Sequence, residues 1–261
     1  MKPRWAALAV LLMLVKVASG AVLQVGAQQS IAAAIGAAQP GDTLRIGPGS
    51  YAGNFIIDKP LTLEGVGRPT VSAGHAGDGI RVRASDVTIR GLIIRDSGTE
   101  LGKQNAGVYV EPGADRAVIE NCVLVRNLFG IWLENSTDSR VAGNLITGRR
   151  DLLSAARGNG IQVYNTRGAQ ILNNTISFTR DGIYVDVSEK AVFRGNKIHH
   201  VRYGTHYMNT HDSIWENNES YLNRGGLALM EVRRLTVRHN RAWGNADHGI
   251  MLRTIQDAVI E

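Results

Sequence analysis

The chain has 261 residues, 44% of them hydrophobic and 20% charged, with 30 glycines, a single cysteine and a formal charge of +6. That length can bury a substantial core in one or two domains. One cysteine excludes an internal disulfide, a cysteine-rich zinc site and an iron–sulfur site, and the modest charge, without a basic run or a stacking platform, excludes nucleic acid as a partner.

Residues 1–20 read as a secretory signal. Lys2 and Arg4 form a positive start, Ala6 to Val15 an apolar run, and Ala18-Ser19-Gly20 a small-residue cleavage site. The run falls well short of the ~20 apolar residues that span a bilayer. Removing the segment takes Lys2, Arg4 and Lys16 with it and leaves an excess of about +3. An exported, soluble domain over 21–261 is therefore expected.

Gln28 to Ala38 is alanine-rich and predicts a short helix, stopped by Gln39-Pro40-Gly41. Asp42 to Ile46, Phe55 to Ile57 and Leu61 to Leu63 predict short strands broken by glycine and proline. A helix ahead of very short strands suits a cap over the blunt end of a solenoid.

A repeat then takes over. Gly79, Gly107, Gly130, Gly160, Gly182, Gly204, Gly226 and Gly249 each open a short alternating run, at steps of 28, 23, 30, 22, 22, 22 and 23 residues. Counted from each glycine, positions +1 (Ile80, Val108, Ile131, Ile161, Ile183, Thr205, Leu227, Ile250) and +3 (Val82, Val110, Leu133, Val163, Val185, Tyr207, Leu229, Leu252) share one strand face and should point inward. Position +11 adds Val118, Val141, Ile171, Phe193, Trp215 and Val237, and position +16 adds Val123, Ile146, Ile176, Ile198, Ser220 and Ala242. Position +14 is asparagine throughout: Asn121, Asn144, Asn174, Asn196, Asn218 and Asn240. The period predicts an all-β fold, a right-handed parallel β-helix of about 22-residue coils with an asparagine ladder. Asparagine suits a bend because it tolerates left-handed backbone angles, and its amide can bond the coils above and below. Cys122 reads as a small filler residue. The two long steps place extra residues at 98–105 and 149–159, on one edge, where insertions build a binding face. The sequence stops twelve residues into its last coil without a capping segment, so a longer, C-terminally continued form is expected.

Positions +2 (Trp132, Gln162, Tyr184, His206, Ala228, Met251) and +4 (Glu134, Tyr164, Asp186, Met208, Met230, Arg253) should face outward. His206 and Met208 would then stand about 7 Å apart, with Met230 one coil on from Met208 at about 4.8 Å and Met251 a coil further. One imidazole and three thioethers form a soft donor set that favours copper, Cu(I) above all. His206, Met208, Met230 and Met251 are thus the candidate copper patch, with His211 a weaker member. An exposed methionine patch also suits a protein interface. His199 is expected outward beside Tyr221 and Trp243, His200 buried, His248 near the rung edge, and His75 and His239 at the surface. Asp181 reads as a turn residue. Glu134 and Asp186 lie two coils apart with no acid pair or nucleophile–base pair beside them, which disfavours catalysis on sugars.

The elements Arg157-Gly158-Asn159-Gly160-Ile161, Arg180-Asp181-Gly182-Ile183-Tyr184, Arg202-Tyr203-Gly204-Thr205-His206-Tyr207-Met208 and Gly226-Leu227-Ala228-Leu229-Met230 occur in order at coil spacing. Together they make the chain, from about Gln39 onward, resemble the NosD family. The resemblance implies a periplasmic, non-enzymatic accessory protein that works with an ABC transporter and a copper chaperone in building the copper–sulfur centre of nitrous-oxide reductase. It implies membrane contact only through the transporter. His206, Met208 and Met230 fall on the matching positions; that they hold copper, transiently, rests on ligand chemistry. The alternatives are a carbohydrate-binding or polysaccharide-degrading β-helix and a metal-free structural adaptor.

Overall fold

The computed structural model describes residues 20–261, so the expected signal segment lies outside the described residues. The described chain winds into a right-handed parallel β-helix of about eleven turns. Three sheets run its length. The first has eleven strands, from Val22–Val25 to Val259–Ile260. The second has nine, from Phe55–Ile57 to His248–Gln256, and carries the glycine rungs. The third, also of nine, runs from Ser50–Ala52 to Arg241–Trp243. The helix at the start is shorter than expected, Ile31–Ala37, with the Ser30 hydroxyl accepting from the Ala33 N–H as its cap. Ile31 and Ile35 are its buried residues and join the end of the core, the role expected of a cap.

The inward columns are as the period predicts through the coil of Gly226; in the coil after it Ile250 and Leu252, also expected inside, are exposed, because their strand is the last of its sheet among the described residues. Ile80, Val108, Ile131, Ile161, Ile183, Thr205 and Leu227 are all buried, as are Val82 to Leu229 at +3. The rung glycines are needed for closeness rather than for unusual backbone angles. A Cβ on Gly182 would lie 2.2 Å from Ile198 Cγ2 and 2.6 Å from the Gly204 carbonyl oxygen.

Four further expectations are corrected here. The coil opened by Gly107 carries one extra residue before its next strand, so Ile119 and Leu124, rather than Val118 and Val123, fill the core columns beside Val141 and Ile146. For the same reason Asn121 is a bend residue at φ 53°, and Cys122 sits in the ladder column, its N–H donating to Asn144 Oδ1 at 3.0 Å. The left-handed angle itself belongs to the residue before each ladder asparagine: Gly143, Asn173, Gly195, Asn217 and His239. The ladder proper is Asn144–Asn174–Asn196–Asn218–Asn240, each Nδ2 donating to the next Oδ1 at 2.9–3.0 Å. Each Oδ1 also accepts from the backbone N–H one coil back, as Asn196 does from Asn174. This closes the amide bonding of a dry bend, where an unpaired polar group costs about 1–3 kcal/mol. His200, expected inside, is exposed with φ 56°, because it occupies a bend.

Candidate functional site

The outer face of the rung sheet carries the predicted columns in register. Gln162, Tyr184, His206, Ala228 and Met251 pair in sequence, and Met208 pairs with Met230, which pairs with Arg253. His206, Met208, Met230 and Met251 are all half-buried. Met208 and Met230 are direct neighbours. Met251 is separated from His206 by Ala228, two coils or about 10 Å away. His211 lies past the strand end, where its Nδ1 accepts from the Arg233 N–H at 3.2 Å, and it stands apart from the patch. His248 stacks near Tyr203 with centroids 5.7 Å apart.

His206 is held from beneath by a side chain that the sequence reading passed over. Asp181 is fully buried and accepts from Arg202 Nε at 2.8 Å, Arg202 Nη2 at 2.6 Å and the Tyr203 N–H at 3.2 Å. Its Oδ2 lies 3.2 Å from His206 Nδ1, with Arg202 Nη2 3.3 Å from the same nitrogen. Burial alone would raise the Asp181 pKa; the bonds from Arg202 and His206 and their charges outweigh it and hold the carboxyl below its ordinary value. The bond to Asp181 in turn raises the Arg202 guanidinium. A carboxylate can only accept, so in the neutral form of the ring it selects the tautomer with the proton on Nδ1, which leaves the lone pair on Nε2. That Nε2 is buried and has no hydrogen-bond partner among the described residues. Tyr184 packs edge-on to the ring at 4.8 Å and donates its hydroxyl to Met208 Sδ at 3.7 Å, tying the imidazole to the thioether pair.

The turn reading of Asp181 holds for its backbone, a bend before the rung glycine, but its side chain points under the sheet face, which the sequence reading did not assign. A signal was present in the sequence. Asp78, Asn159 and Asp181 recur immediately before rung glycines, and each accepts from a backbone N–H of the neighbouring coil.

Beside His206 a groove of about 550 Å³ runs along the same face, over Tyr184, Gln162 and Trp132, with Gln104 and Asn159 from the two insertions on its rim. Both insertions thus border one face, as expected. Trp132 stacks parallel to Tyr109 at 5.8 Å, and its Nε1 is buried without a partner among the described residues. Glu134 accepts from the Tyr109 hydroxyl and Asp186 accepts from Asn209 Nδ2 at 3.0 Å, so both carboxylates of this face are already engaged.

The donors present are of the kind that suits copper. An imidazole oriented by a carboxylate through its other nitrogen is the usual arrangement of a metal-binding histidine, and paired thioethers suit a soft ion. Among the described residues no three His, Cys, Asp or Glu side chains group as a metal site, so the candidate set depends on sulfur from methionine.

A family model described as "Periplasmic copper-binding protein (NosD)" matches residues 143–261, and one described as "Right handed beta helix region" matches residues 61–156. A protein of Stutzerimonas stutzeri named "Probable ABC transporter binding protein NosD" is 33% identical over 216 residues, covering 83% of this chain and 50% of that protein. A protein of the same name from Pseudomonas aeruginosa is 36% identical over 134 residues, 51% of this chain and 31% of that protein. The chain thus spans half or less of the length of these curated relatives. Pectate lyase Pel9A superposes with a TM-score of 0.64 at 14% identity, covering 94% of this chain and 80% of the lyase, a likeness of fold alone. The NosD relatives are named as binding proteins, not as enzymes.

Proposed function

The chain belongs to the NosD family, and from that premise we propose that it is a periplasmic accessory protein that carries copper on its outer sheet face toward the copper centre of nitrous-oxide reductase. His206 Nε2, Met208 and Met230 are the proposed ligands. Met251 and His211 are outlying donors that would assist transfer rather than hold the ion. The observation that carries the reading is the state of His206: one nitrogen faces buried Asp181 and the other is left without a partner. The family description supports copper and the periplasm, and the relatives' name supports an ABC transporter as the docking partner. A copper chaperone as donor and the reductase as acceptor follow from the family resemblance. Transient holding suits this set, because few soft ligands on a half-open face release the ion readily.

The test is a Cu(I) competition titration of the purified protein. His206→Ala and the double variant Met208→Ala/Met230→Ala should each weaken binding by 10-fold or more. Asp181→Asn should cost on the order of 10-fold to 100-fold, the range for loss of a ligand-orienting partner. Equal binding by the wild type and all variants sinks the copper site and leaves the metal-free adaptor. The unpartnered Trp132 Nε1 and the stacked Tyr109 support a second reading, sugar binding in the groove. Pectin or alginate depolymerisation, or retention on either polymer that is lost in Trp132→Ala, would favour it.

A further inference from the structure

The same coils that carry His206 also stack arginines at the bend before the rung. Backbone bonds from Arg202 N to Arg180 O (2.7 Å) and from Gly225 N to Arg202 O (2.8 Å) place Arg180, Arg202 and Arg224 in successive turns. Neighbouring coils lie about 4.8 Å apart. Like charges in register repel and weaken a sheet unless something offsets them. Two of the three are offset: Arg202 by Asp181 and Arg224 by Asp247, at 2.7 Å. Arg180 forms no ion pair among the described residues.

Arg157 joins the stack from the second insertion. Its Nε donates to the Leu152 carbonyl at 2.8 Å, which anchors the loop, and among the described residues it too forms no ion pair. Together with Ser154 and His200, these four arginines wall a cavity of about 480 Å³ that no acidic side chain lines. His200 is held there by stacking on Phe178 at 5.1 Å and by its Nδ1 contact with His199 at 2.7 Å.

We infer that this cavity binds a doubly charged tetrahedral oxyanion, a phosphoryl or sulfate group. A single carboxylate is satisfied by one guanidinium fork, as Asp181 is by Arg202. Arg157 and Arg180, whose forks no carboxylate occupies among the described residues, line one cavity together and match instead a dianion with three or more acceptor oxygens. The ligand could be a free oxyanion or the phosphomonoester headgroup of phosphatidic acid, which present the same chemistry. The site adjoins the proposed copper ligands through Arg202, whose Nη2 lies 3.3 Å from His206 Nδ1, but none of those ligands lines it.

The test uses the whole protein with three probes: inorganic phosphate by calorimetry, and vesicles of phosphatidic acid and of phosphatidylcholine by co-sedimentation, at low and at moderate salt. Arg157→Gln/Arg180→Gln is the main variant, since neither residue balances a carboxylate in the fold, and its melting temperature checks that it is intact. Loss of two charge-assisted contacts should weaken binding by on the order of 10-fold or more. Arg180→Lys keeps the charge but loses the fork and should weaken it several-fold. Arg116→Gln, on a remote pair with Asp86, should change nothing. Phosphate binding without vesicle binding assigns a free oxyanion. Binding to phosphatidic acid but not phosphatidylcholine assigns the headgroup. Absence of both in the wild type, or equal binding by the double variant, overturns the inference. So does capture of poly-glutamate alone, which would make the cavity a seat for an acidic protein segment.

Discussion

Cys122 shows how closely one residue is bound by its column. It occupies the ladder position next to Asn144, is 1% exposed, and its thiol is pushed up to about 12 by burial. The thiol should therefore resist alkylation in the native state and react only on unfolding. The Leu92 and Gly91 N–H groups act on the sulfur, and the Ile89 carbonyl lies 3.9 Å from it. An amide would use these partners and Asn144 Oδ1 better than a thiol can. Cys122→Asn should thus lengthen the ladder by one rung and raise stability by about 1 kcal/mol, read from the midpoint of a denaturant titration at unchanged slope. A fall in midpoint would show that the column lacks room at this coil. At the same scale, Thr205 and Tyr207 turn their side chains into the core behind His206, and the buried Thr205 hydroxyl has no hydrogen-bond partner among the described residues. Burial raises the Tyr207 pKa, so the phenol stays neutral there. Phe193 and Trp215 pack around it at 5.8 and 6.5 Å, so the coil beneath the candidate ligands is more aromatic than its neighbours.

At the scale of the strand, the rung glycine decides how tightly successive coils pass the bend. Adding a methyl at Gly182 would press on Ile198 and the Gly204 carbonyl, and neither is the free end of a flexible chain. Gly182→Ala should cost about 1–3 kcal/mol through overpacking, measured by thermal or denaturant unfolding. It should also loosen the copper patch, because the strand Tyr203–Met208 pairs directly on Ile183–Asp186. A neutral result would mean that the bend can relax outward. His206 and Asp181 belong to neighbouring coils, so their contact depends on this pairing register. A slip of one residue would turn His206 inward and Tyr207 out.

Over the whole molecule, each coil contacts chiefly its two neighbours, as in other solenoids, and charge is balanced across coils in the same way. Glu216, with its side chain 7% exposed, accepts from Arg238 Nε at 2.6 Å and from Arg194, binding three successive coils. Bonding to Arg238, and then to Arg194, lowers its pKa below the ordinary 4.5 against the opposing effect of burial. A depressed acid stabilises the fold fully above its unfolded pKa and loses that contribution as pH falls through the folded value. The melting temperature of Glu216→Gln should lie below wild type at neutral pH, and the gap should close as pH falls below about 4.5. A gap that is constant with pH would assign the loss to packing instead of charge.

The sequence by itself determined the β-helix, its period, the inward columns, the outward placement of His206, Met208 and Met230, and the edge that the insertions occupy. Each of these follows from a strand period of two and a coil period near 22, which can be counted along the chain. The tertiary structure alone decided the one-residue offset that puts Cys122 in the ladder and the burial of Asp181 beneath His206. It also decided the gathering of Arg157, Arg180, Arg202 and Arg224 around one cavity. These depend on where an extra residue is absorbed and on which way a bend residue turns, and neither is periodic. A bend side chain can face solvent, the core or the next coil with the same letter in the sequence. Only the packed neighbours, Arg202 above Asp181 and the inserted loop beside Arg180, fix which of these it does.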